Sequence, residues 1–314
     1  MERQFGKPPD RHFVRHRNNE PPPAEWVAVV TDNRGNQTEP PLVTVVVPTA
    51  DAWRDGKFPE LMRQLSHQDF QDFERVVIQG DNRQGRAINS GAALARGRYM
   101  LTLDDDSSLG GPDVVGKLVR ALEADPDVGM AGGINTIPDD APFLVRRAME
   151  ELPRRDMPDV AGVTDSDMAE HPLLMMRLDA FRQVGGENEV IPRGLDPYLR
   201  EEFRRVGYRV VVVPGACYTH MPPGTMRGLV RQFYRNGAQS AYCSLMFPEW
   251  AYETPDRHGP DVVMKRPLWY RVVRKAAGLA GHALRGHVVY VAANGAYSLG
   301  FLSGYLRAKQ GKKP

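Results

Sequence analysis

Between Leu42 and Gly133 the chain alternates four short apolar runs with three stretches of helical periodicity, and few architectures accept that order. The runs are Leu42–Pro48, Phe73–Gln79, Tyr99–Leu103 and Val128–Gly133. The first is almost wholly β-branched, the pattern of a strand buried on both faces of a parallel sheet. Phe58–Gln68 and Gln84–Ala95 have helical spacing, and Pro112 opens a third helix with Val114, Val115, Leu118 and Leu122 on one face. Strands alternating with helices of this size make βαβ units. The fold class expected is therefore α/β, a mostly parallel sheet flanked by helices. Further on, His171–Arg177 and Tyr208–Pro214 read as strands. Leu178–Val184, Leu195–Val206 and Thr225–Met246 read as helices, the second capped by Gly207. Residues 134–170, rich in Pro and Asp, read as an irregular, mobile loop over the site.

Three regions follow from these signals: an arm with an edge hairpin (1–41), an α/β domain (42–250) and a helical C-terminal extension (251–314). Residues 1–23 are charged and proline-rich, which predicts a disordered or loosely draped arm without a secretory signal. Glu25–Thr31, the turn Asp32–Gly35 and a return at Gln37–Thr38 predict the hairpin. Lys and Arg number 41 against 39 Asp and Glu, so whole-chain charge gives no reason to expect a nucleic-acid partner. Two cysteines, Cys217 and Cys243, without CxxC spacing predict a reducing, cytoplasmic location. In the extension, Gly286–Leu306 carries no formal charge and has basic residues on both sides. Its Tyr290, Tyr297, Phe301 and Tyr305 suit a helix at the headgroup level, peripheral at the inner face of a membrane. The plain alternative is a helix packed on the protein's own surface. A true span comes third, because His287, Asn294, Ser298 and several glycines dilute the segment.

The residues with chemistry gather where strands end. After Leu103 come Asp104, Asp105 and Asp106. In extended chain, Asp104 and Asp106 point to the same side, and such a pair suits Mn²⁺ or Mg²⁺ with phosphate oxygens. The alternative is a solvated acidic turn. Asp196 follows Arg193-Gly194 and precedes Pro197, which by itself reads as a helix N-cap. His220 lies in a turn beyond a strand, where an imidazole can complete a carboxylate metal site. Asp81 could accept from a base or ribose and Arg86 could pair with phosphate, or both are surface charges. Arg227, Arg231 and Arg235 recur every fourth residue, making one basic helical face for a diphosphate, an anionic lipid or plain solvent.

Taken together these blocks resemble a family-2, inverting glycosyltransferase of the GT-A fold, over roughly Val43 to Tyr242. Val43–Thr49 resembles the opening strand, with Pro48 and Thr49 at the donor, and Gln68 the glutamine that ends the next helix. Gln84–Asp106 is similar to the most specific block, which ends in the DxD motif. The resemblance implies that Asp104, Asp105 and Asp106 lie at the donor, with Asp104 and Asp106 holding metal and diphosphate. It also implies Asp196 as the catalytic base, His220 as a further metal ligand, and Asp81 and Arg86 at the nucleotide. The implied partners are a nucleotide-sugar, a UDP-sugar foremost, and a carbohydrate or lipid-linked acceptor. Two departures stand out. Leu195 replaces the Glu that usually precedes the base, and only Gln79–Arg83 separates the second strand from Gln84. Two competing readings remain. A sugar-1-phosphate nucleotidyltransferase would need more glycine after the first strand than Thr49–Gly56 supplies, and a non-catalytic nucleotide-sugar-binding or membrane scaffold is the other.

Overall fold

A computed structural model describes residues 1–35, 38–252, 258–259 and 268–313. In chain order the strands are β1 (Glu2–Phe5), β2 (Val27–Asp32), β3 (Val43–Thr49), β4 (Phe73–Gln79), β5 (Tyr99–Thr102), β6 (Ser107–Leu109), β7 (Val128–Asn135), β8 (Thr164–Asp165), β9 (Leu174–Arg177) and β10 (Arg209–His220). The helices are α1 (Lys57–Ser66), α2 (Gln84–Leu94), α3 (Val114–Ala124), α4 (Phe143–Glu151), α5 (Leu178–Gln183), α6 (Leu195–Arg205), α7 (Met226–Met246), α8 (Leu268–Leu284) and α9 (Val288–Lys309).

One sheet, in the order β1-β2-β4-β3-β5-β9-β7-β10-β6 with β8 beside β10, runs through the molecule. Its period-two alternation sorts side chains onto two faces. Val43, Val45, Val47, Tyr99 and Leu101 meet α1 and α3, while Val46, Met100 and Met176 meet α2, α5 and α6. The expected α/β layering is therefore present. The sheet is more mixed than the β-branched runs imply. β3, β4, β5, β7 and β10 share one direction, but β9 is inserted antiparallel between β5 and β7. Their common direction brings the carboxyl ends of those five strands to one edge, where ligands bind in open α/β sheets.

Several local expectations need correction. Segment 1–23 is ordered: β1 pairs with β2 at the sheet edge, and the chain beyond forms a strap. Within it Arg11 donates to Ser90 (2.6 Å) and pairs with Glu189 (3.2 Å), and Arg15 pairs with Glu202 (2.6 Å). The return strand expected at Gln37–Thr38 falls partly outside the described residues, and β2 finds its partners in β1 and β4 instead. Residues 134–170 contain α4 and β8 and bury Met149, Met157 and Met168, so they are built structure rather than an irregular loop. His171–Leu173 is a 3-10 turn, and only Leu174–Arg177 of that run is strand.

In the C-terminal region α9 lies along α7. Ala293, Ala296, Gly300, Gly304 and Ala308 form one buried stripe of small residues, which lets the two backbones approach closely. A Cβ at Gly300 would sit 1.9 Å from the Tyr234 carbonyl oxygen. No helix among the described residues is long and apolar enough to cross a membrane.

Candidate active site

The acidic cluster is assembled by strand pairing. Beyond β5 the chain turns at Asp105-Asp106, with the Ser107 N–H donating to the Asp104 carbonyl (3.0 Å). It then enters β6, which pairs antiparallel with β10 so that Ser107 stands opposite His220. That register sets the imidazole beside the acids: His220 Nε2 is 3.2 Å from Asp106 Oδ1. His220 ends a long strand rather than lying in a turn, and Ser107–Leu109, with the look of a chain breaker, is the strand that meets it.

One ligand atom each from Asp104, Asp106 and His220 lies within 4.8 Å of the others. Two carboxylate oxygens and an imidazole nitrogen fit a hard to borderline divalent cation such as Mn²⁺ or Mg²⁺. The pair does not converge through extended chain. The turn does it, and it aims Asp105 elsewhere: Thr49 Oγ1 donates to Asp105 Oδ2 (2.7 Å), and Arg54 lies 3.4 Å from its other oxygen. Arg54 also bonds Asp106 Oδ2 (2.9 Å), and Gln84 donates to Asp104 Oδ1 (2.8 Å). Pro48 sits half-buried in β3, beside Ile78 of β4 and one residue before Thr49.

Burial pushes the Asp104 carboxyl up to about 6, with His220 opposing and Asp106 reinforcing the rise. Burial also acts on Asp106, but hydrogen bonding and charge from His220 and Arg54 outweigh it and hold that carboxyl far below its usual range.

Asp196 lies near these residues, close enough for its charge to act on Asp104. It is not an N-cap. Gly194, at φ +90°, takes that position, α6 starts at Leu195, and Asp196 falls in the first turn. Its Oδ1 accepts from the His171 backbone N–H (2.8 Å). Burial disfavours its charge, but His171 and Arg200 outweigh that and lower its pKa, so Asp196 is ionised at neutral pH. The tuning differs from the solvated carboxylate a sequence reading would assume.

The residue behind Asp196 was not legible as a site residue. His171 is buried, 2.9 Å from Glu187 through Nε2 and 3.1 Å from Thr102 Oγ1 through Nδ1. Burial opposes a charge on the ring, yet Asp196 and the hydrogen bond to Glu187 raise its pKa to about 9. An HPLL sequence entering a strand carries no signal of this role. Glu187 supplies a buried carboxylate at the site, whereas Leu195, at the place of the expected Glu, packs into the core.

Asp81 and Arg86 come together as a buried bidentate pair (2.6 and 3.0 Å), not as surface charges. Arg86 also donates to the Glu20 carbonyl of the strap (2.8 Å). Gln68 is buried and pins the start of α3, donating to Gly111 and accepting from the Val115 N–H. Arg227, Arg231 and Arg235 lie exposed along α7.

Residues 45–185 match the model of Glycosyl transferase family 2. No curated protein matches the chain. Among solved structures, the mannosyltransferase PcManGT from Pyrobaculum calidifontis in complex with GDP-Man and Mn²⁺ is 16% identical, with a TM-score of 0.54. That alignment covers 87% of this chain and 89% of the other. S. aureus TarS 1-349 in complex with UDP-GlcNAc is 11% identical with a TM-score of 0.42, over 86% and 92% of the two chains. The matched segment includes the Asp104–Asp106 turn: residues 45–185 form a glycosyl transferase family 2 domain, which makes this an enzyme of glycosyltransferase type, and the fold is GT-A.

Proposed function

We propose that the chain transfers a sugar from a nucleotide-sugar donor to a carbohydrate or lipid-linked acceptor hydroxyl, metal-dependently and with inversion. The observation that carries this reading is the convergence of Asp104, Asp106 and His220 on one point, with an ionised Asp196 nearby. When bound there, Mn²⁺ or Mg²⁺ would neutralise the leaving diphosphate. The structural neighbour in complex with GDP-Man and Mn²⁺ supports that choice of ligands.

The chain's own groups do the rest. Asp196, oriented by the His171 N–H on Oδ1, takes the acceptor's proton on Oδ2 as the new bond forms. The charged His171 ring keeps Asp196 ionised, and Glu187 holds that ring in place. A single displacement by the acceptor oxygen inverts the anomeric centre.

A panel of UDP- and GDP-linked sugars, with and without Mn²⁺, tests the proposal. One donor should turn over only with metal, giving product of opposite anomeric configuration by NMR. Asp104→Ala/Asp106→Ala should abolish turnover, and Asp196→Asn should lower kcat by about 10²–10⁴ while sparing donor affinity. Metal-independent turnover, or an unaffected Asp196→Asn, would overturn it.

A further inference from the structure

Helix α8 is built inside out. A helix on the surface of a globular protein normally turns its apolar stripe inward and its charges to water. Here the inward face is polar. Lys275 donates to Asn294 of α9 and lies over the Tyr297 ring (5.1 Å). His282 stacks on Tyr290 at 3.6 Å between ring centroids and contacts His287 (2.8 Å). The outward face is apolar: Trp269, Val272, Val273 and Leu284 are 68%, 58%, 59% and 90% exposed. Ala276, Ala280 and Ala283 complete the stripe and are exposed too.

The charge of the chain is divided in the same place. Residues 262–314 contain ten Lys or Arg and no Asp or Glu. Residues 1–261 contain 31 Lys or Arg against 39 Asp or Glu. An acidic body thus ends in a strongly basic helical region, and exposed Arg274 and Arg285 lie to one side of the apolar stripe. The aromatic segment singled out from sequence behaves differently. Tyr290, Tyr297, Phe301 and Tyr305 are half-buried, and α9 packs on α7.

We propose that the outward face of α8 docks on an anionic lipid bilayer, lying parallel to its surface. The apolar stripe enters the boundary between headgroups and acyl chains, with Trp269 at the interface, and Arg274 and Arg285 reach up the side of the helix to anionic headgroups. An acidic soluble partner would satisfy the charges but leave the stripe in water. A purely apolar partner would leave the charges unused. This surface is independent of the transfer chemistry, so either proposal can fail alone.

The experiment is flotation of the full chain with vesicles of phosphatidylcholine containing about 30% phosphatidylglycerol, and with vesicles of phosphatidylcholine alone. The protein should float with the anionic vesicles and, at low salt, partition to them at least about tenfold better than to neutral ones. Val272→Asp/Val273→Asp, both exposed, should lose about tenfold or more of that partition with an unchanged melting temperature. Trp269→Ala provides a milder second variant and should weaken binding in the same direction. Leu299→Asp on the exposed side of α9 should bind like the parent. Three results would overturn the proposal: no flotation, flotation unaffected by the α8 variants, or a soluble dimer that the α8 variants dissolve.

Discussion

Asp104 and Asp106 are two residues apart, yet their surroundings drive their carboxyl groups in opposite directions. Burial lifts Asp104 to about 6, whereas His220 and Arg54 pull Asp106 down against the same effect. A cation binds the deprotonated carboxylate, so protons compete at Asp104 only when the pH falls to about 6 and below. Mn²⁺ titrations should show a flat affinity from neutral pH upward and a loss approaching about tenfold per pH unit below that point. Affinity constant from pH 5 to 8 would remove Asp104 from the ligand set. The neighbouring loop bears a strain of its own. Ala52, Arg54 and Asp55 all have positive φ, between 47° and 55°, a region L-residues seldom occupy. That backbone aims Arg54 at the acidic cluster, where the guanidinium balances Asp105 and Asp106. The Gln84–Asp106 block was readable because its signal is local: a helix, a glycine, a strand and three acids in succession. His171 and Glu187 were not, because each is a lone polar residue until folding brings them beside Thr102 and Asp196.

At the level of elements, the strands that sequence reveals are those buried by their own composition, and the ones it hides depend on a partner. Val43–Val47 is buried throughout and needs no neighbour to be recognised. Ser107–Leu109 is a strand only because Tyr218–His220 lies against it, and that same pairing creates the site. α4 follows a Pro-rich entry and has Ala148 and Met149 fully buried, a helix specified by packing more than by its surroundings in sequence. For α9 the glycines diluted the apolar signal, yet they are what docks it. Gly300→Ala would drive a methyl group into the Tyr234 carbonyl, forcing the two helices apart. Urea unfolding should show a loss of about 1–3 kcal/mol or more. A loss below about 0.5 kcal/mol would mean that α7 and α9 are not held this closely.

Across the whole molecule, the strap joins parts that the sheet leaves separate. Arg11 reaches α2 through Ser90 and the segment before α6 through Glu189, and Glu20 bridges Arg83 and Lys313 (2.6 and 3.0 Å). Glu189 is fully enclosed with its carboxylate on Arg11, so removing the guanidinium would strand a buried charge. Arg11→Met should therefore cost about 3–5 kcal/mol, measured by urea unfolding, whereas Arg11→Met combined with Glu189→Leu should recover much of it. No recovery in the double variant would place the cost elsewhere.

The strap also sets an order of events during synthesis. Arg11 leaves the ribosome 178 residues before the Glu189 it must grip. Arg15 precedes Glu202 by 187 residues, and Glu20 precedes Lys313 by 293. The strap's contacts with Ser90, Arg83 and Arg86 can form early, but β3, β4, β5 and β7 are all made before its partners Glu189 and Glu202 appear. Its docking closes loops spanning more than half of the chain, the kind of contact that slows folding. The Arg11–Glu189 and Arg15–Glu202 pairs are thus a late latch, closing over a domain that is already largely built.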